Sequence, residues 1–129
     1  MAIKMIPALM EQSDKIHNYI ILEVTLRTLE RDRKHLGGLK MHSVLEEWYD
    51  EKINQVFKEQ KEVRDFLYKL GCKIDKLSTD EFATEYQILY RGSVETRRYG
   101  NIALRNWVSQ EMRRLLGMPY ITPEDSKSK

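Results

Sequence analysis

Apolar positions recur with a helical period over the first half of the chain and with a two-residue period beyond it. Between Pro7 and Leu36 they fall at Met10, Ile16, Ile20 and Val24, then after a shift at Leu26 and Leu29. Tyr19, Ile21 and Leu22 widen this stripe, and the spacing predicts a helix over residues 7–36. Pro7 suits the first turn, where its missing N–H costs nothing. Arg31, Arg33, Lys34 and His35 suit the negative end of the helix dipole. Gly37 is expected to take the left-handed conformation that stops the helix.

A second helix is predicted over residues 41–70. Tyr49, Ile53, Val56, Gln60, Val63, Leu67 and Leu70 follow one another at alternating steps of four and three, a heptad seam with one polar member, Gln60. Leu45, Phe57 and Phe66 broaden the seam, Trp48 sits beside it, and Gly71 is the natural stop. Gly37 and Gly38 then fall at the tip of an antiparallel helical hairpin, because a short loop favours adjacent antiparallel helices. A flexible link between two domains is the rival reading, and two glycines are short for one.

After Gly71 the period changes. CKIDKL alternates, with Cys72, Ile74 and Leu77 nearly sharing a face, and STDEFA reads as a turn. EYQILYR and the strand after it are separated by Gly92-Ser93, a hairpin signal. In the second strand Val94, Thr96 and Arg98 oppose Glu95, Arg97 and Tyr99. A lone β-hairpin is marginal in water, so it must pack on the helices or pair with CKIDKL. The last element, residues 101–117, is a helix with Asn101 as its N-cap and an apolar stripe of Ile102, Leu104, Trp107, Val108, Met112, Leu115 and Leu116. Gly117 and Pro119 end it, and residues 118–129 read as a solvated tail. The expected fold is α+β, mainly α: a long helical hairpin, a small antiparallel sheet of two or three strands over 72–100, and a C-terminal helix, all one domain over residues 1–117.

Composition narrows the class. The 129 residues suit one domain. A charged share of 33% suits long helices that show much of their surface to water. The net charge of +2 does not by itself point to nucleic acid or to a membrane. One cysteine, Cys72, makes no internal disulfide, which fits a reducing compartment. The amino terminus lacks the apolar core of a signal peptide, and Glu23 interrupts the most apolar run, YIILEV. A cytoplasmic protein without membrane contact is expected.

No motif for catalysis, cofactor or metal emerges. The chain lacks a phosphate-binding Gly-rich loop, Gly-x-Ser-x-Gly and Cys-x-x-Cys. His35, His42 and Glu46 meet at the hairpin tip and invite a metal hypothesis, but surface polar residues are the better reading of all three histidines. Cys72 opens an apolar alternation and reads as a buried structural cysteine.

Residues 86–117 carry Arg91, Arg97, Arg98, Arg105, Arg113 and Arg114 against Glu95 and Glu111, a local charge of +4, with Tyr86, Tyr90, Tyr99 and Trp107 interleaved. Arginine with aromatics suits a protein interface. It also suits phosphate contacts and base stacking, or an ordinary solvated face. The surplus apolar surface of the second helix calls for cover, from the C-terminal module folding back or from a second copy of the chain. The expectation is a non-enzymatic interaction protein. It would be a homodimer through Tyr49, Ile53, Val56, Gln60, Val63 and Leu67. Arg91, Arg97, Arg98, Tyr99, Arg105, Arg113 and Arg114 would face a protein partner. A small nucleic-acid-associated regulatory or accessory protein using residues 86–117 is the alternative.

Overall fold

Ile20, Ile21 and Leu22 are consecutive and all buried, so the first helix must be covered on several sides. A computed structural model describes residues 12–121 and shows how. Helix α1 (Ser13–Arg33) packs along α2 (His42–Lys69), and α3 (Asn101–Leu115) returns onto α1. Between α2 and α3 the chain forms β1 (Cys72–Thr79), β2 (Ala83–Tyr90) and β3 (Ser93–Gly100), one antiparallel sheet with β2 in the middle. Three helices therefore lie on one face of a three-stranded sheet, the α+β, mainly helical fold that the periodicities predict. The expected start of the first helix at Pro7 and the tail over 122–129 lie outside the described residues.

The alternation in β2 sets the layers. Tyr86, Ile88 and Tyr90 are buried, with Ile16, Ile20, Leu67 and Leu104 in the same cluster. Cys72 and Ile74 join this face through the register Cys72↔Tyr90 and Ile74↔Ile88, so CKIDKL does pair with the hairpin. Leu77 leaves that face. A bulge between Lys76 and Ser78 makes it the extra residue, half-exposed, while Lys76 stays opposite Tyr86. The opposite face carries Lys73, Leu89 and Val94, and an Arg98–Glu85 pair at 3.5 Å.

The heptad seam is spent inside the chain. Val56 is fully buried with Leu22 and Leu29 of α1 and Leu115 of α3, and Trp48, Tyr49, Ile53 and Val63 pack against that cluster. Leu67 lies in the sheet-facing cluster, and Gln60 faces Tyr19 of α1. Of the two covers considered for the second helix, the returning C-terminal helix supplies this one. Within the chain, α1 and α3 pack against these six residues, the same ones read from the sequence as an interface between copies.

Several turns differ in detail from the sequence reading. Gly37 is not left-handed. The first helix ends through tight backbone turns, with the Lys34 N–H on the Arg31 carbonyl and the His35 N–H on that of Asp32. The strand turn is Arg91-Gly92 rather than Gly92-Ser93. Both residues have positive φ (48° and 86°), the signature of the type I′ turn that matches strand twist, and Ser93 already pairs with Tyr90. Asn101 is the first helical residue and caps nothing. Its side chain instead accepts from the Thr84 hydroxyl and donates to the Asp80 carbonyl. At the far end Gly117, with φ 73°, closes α3. Its N–H reaches the Arg114 carbonyl, and that of Met118 reaches Arg113.

Candidate functional site

The seven residues expected to form one binding surface are dispersed. Alternation sends Arg97 and Arg98 to opposite faces of the sheet. Arg97 turns inward and donates to the Ser13 hydroxyl at 2.6 Å, whereas Arg98 turns outward to Glu85. Arg91 donates to the Leu70 carbonyl at 3.2 Å, and Arg113 to that of Pro119 at 2.6 Å. Arg114 bridges helices, gripping Glu59 of α2 at 2.8 and 3.3 Å while holding Glu111 of its own helix at 3.0 Å. These carboxylates raise its pKa further above the usual arginine value. Most of the arginines thus clamp elements of the chain together. Arg105 alone of the seven has neither an ion pair nor a hydrogen bond among the described residues.

Tyr99 also turns inward. Its hydroxyl lies 3.1 Å from His17 Nδ1, its ring stacks on the imidazole, and Trp107 meets the imidazole edge-on at 4.9 Å. His17 is therefore part of an inter-element aromatic cluster and not a surface residue. Burial, then the Arg97 guanidinium, lowers its pKa from 6.5, and Asp14 opposes the shift. In the unfolded chain the imidazole takes its proton near pH 6.5, in the folded chain only at lower pH. The unfolded state thus binds more protons in that window, and stability falls as pH drops through it; above the window the contribution is fully present. Thermal unfolding followed between about pH 7.5 and 5.5 should show this slope. His17→Gln should flatten it; an unchanged slope would acquit the imidazole.

Cys72 is buried in the sheet-facing cluster, and burial pushes its thiol up, away from thiolate character. At the hairpin tip, Glu46 faces Arg33 at 3.5 Å and His42 at 3.4 Å, and Arg33 also grips Asp50 at 2.7 Å. The carboxylates there serve a clasp between α1 and α2. Among the described residues no three metal-ligating side chains come together.

The same tip holds a cluster of exposed apolar side chains. Leu36 is buried under the loop, but Leu39, Met41 and Val44 are 50%, 63% and 55% exposed within six residues. Their backbone is pinned by Leu39 N–H to Leu36 O, His42 N–H to Leu39 O and Leu45 N–H to Met41 O. The patch is presented by a fixed turn, and exposed Lys34, His35 and Lys40 flank it. The sequence pattern singles out none of the three, because a helical period has no means of marking which residues a turn leaves outside.

A protein-family model described as "YhjD protein" matches residues 8–120, a span that contains all six elements. The chain belongs to the YhjD family. No curated protein and no solved structure matches it. Among the described residues of this YhjD-family chain, no helix is long and apolar enough to cross a membrane.

Proposed function

We infer that the chain is a non-enzymatic interaction protein that docks on another protein through the tip of its helical hairpin. The observation that supports this is the exposed trio Leu39, Met41 and Val44 on a hydrogen-bonded turn. Single exposed apolar side chains are ordinary, whereas a cluster rimmed by polar groups marks an interaction site. Lys34, His35 and Lys40 around it fit a partner with an apolar centre and an acidic rim. The Arg91–Arg114 set, mostly committed to contacts inside the chain, has a positioning role in this reading.

The test is site-specific photocrosslinking in producing cells, with the reactive residue in place of Met41 and, as a control, of Val94 on the outer sheet face. One defined adduct from position 41 only is expected. Adding Val44→Glu should weaken the purified complex by at least about thirtyfold, the loss of an interface hot spot. Folding should be left within about 0.5 kcal/mol, as for an exposed site. Equal adducts at both positions, or none, would remove the tip from consideration.

A further inference from the structure

A groove of about 400 Å³ lies between α1, the sheet and α3, on the side of the molecule where α3 begins. Four cations line it from three elements: Arg27 and Arg31 of α1, Lys76 of β1 and Arg105 of α3. Among the described residues no carboxylate lines it. Arg27 is paired with Glu23 at 3.2 Å and Arg31 is only loosely near Asp32 at 4.0 Å. Lys76 and Arg105 have no hydrogen bond or ion pair among the described residues. Lys76 is there because of the β1 bulge, which keeps it opposite Tyr86 on the helix-covered face and expels Leu77.

Two further features point the same way. The first turn of α3 borders the groove; the Asn101 N–H donates to the Phe82 carbonyl, and the N-cap, Gly100, offers no side chain to the N–H groups that follow. Such a terminus attracts anions. Tyr86, fully buried, forms part of the groove wall, and its hydroxyl proton has no acceptor among the described residues. Burial first, then the Glu23 carboxylate, pushes its pKa up to about 12, while nearby Arg27 pulls the other way. The phenol is therefore a proton donor at neutral pH. A buried donor without an acceptor costs stability and calls for an explanation.

We propose that this groove is a binding site for a small molecule carrying a phosphate or diphosphate group. Lys76 and Arg105 supply mobile cations, Arg27 and Arg31 a fixed basic wall, the α3 terminus oriented N–H groups, and Tyr86 a donor from below. A small ligand suits the site better than a nucleic-acid strand. The basic side chains converge on one three-sided recess, and Arg98 and Arg114, which would extend a basic track, are held by Glu85 and Glu59. The site is independent of the hairpin tip.

The experiment is a calorimetric titration of the whole chain with pyrophosphate and, separately, with adenosine diphosphate, at constant ionic strength. Saturable binding is expected. Lys76→Gln with Arg105→Gln should weaken it at least about tenfold, as for two charge-assisted hydrogen bonds. Because neither side chain has a partner among the described residues, the melting temperature without ligand should stay the same. Tyr86→Phe should weaken binding about fivefold without lowering that melting temperature, whereas a purely structural tyrosine would leave affinity unmoved. Tighter binding of the nucleotide would mark an organic phosphate as the ligand, and equal binding the phosphate group alone. No saturable binding, or binding indifferent to the double variant, would overturn the proposal. So would duplex DNA bound more tightly than either probe with the same dependence on these residues.

Discussion

Val56→Asp should leave the chain unfolded at room temperature. Val56 sits without exposure among Leu22, Leu29 and Leu115, so the carboxylate would enter a cluster drawn from all three helices. The lost apolar burial is worth about 1.5–3 kcal/mol. An unpaired buried charge adds several more, for a total above about 4 kcal/mol. A domain near the low end of ordinary stability, about 5 kcal/mol, has almost nothing left after that. Circular dichroism and urea unfolding measure the loss, and light scattering gives the mass of the parent chain. The result separates the two ways of using a heptad seam. A folded monomer from a dimeric parent would mean that the seam works between chains. Loss of the fold itself is expected, because α1 and α3 of the same chain occupy the seam.

The second large effect concerns two isoleucines that the helical period treats alike. Ile20→Ala should cost about 2–5 kcal/mol, the range for a buried aliphatic truncation. Ile20 is fully buried between the sheet residues Tyr86 and Ile88 and the helix residues Leu67 and Leu104. A cavity there is walled by several elements and has little room to collapse. Ile102→Ala, in the apolar stripe read for the last helix, should stay within about 0.5 kcal/mol, because Ile102 is 71% exposed. Denaturant unfolding of both variants checks the contrast. Equal losses would mean that α3 is turned differently on the rest of the molecule. Trp107 and Leu116 tell the same story: they fall in the stripe, yet Leu104, Val108 and Leu115 carry the burial.

Electrostatics shows why the candidate site was hard to read. A run of arginines close in sequence is not a patch in space. Strand alternation separates Arg97 from Arg98, and the return of α3 brings Arg114 to Glu59 of α2. The basic groove has the opposite history. Its cations are spread from Arg27 to Arg105, and no window along the chain brings them together. Arg105 belongs to both sets, and it has no hydrogen bond or ion pair among the described residues.

The linear sequence determined what depends on local period and backbone freedom. The four-and-three spacing from Tyr49 to Leu70 was enough for the long second helix, and the change of period after Gly71 for the sheet. The Gly37–Gly38 pair was enough for the hairpin, although neither glycine needs the left-handed conformation there. A repeating pattern records how many sides of an element must be covered, because every buried residue has to be apolar or satisfied. It does not record by what. Only the tertiary structure decided that α3 covers the seam of α2 and that a bulge hands Lys76 to the groove while exposing Leu77. It also decided that Tyr86 ends buried beside Arg27. Those outcomes depend on contacts between residues tens of positions apart, where packing and charge pairing are settled by the arrangement of whole elements and not by their neighbours in the chain.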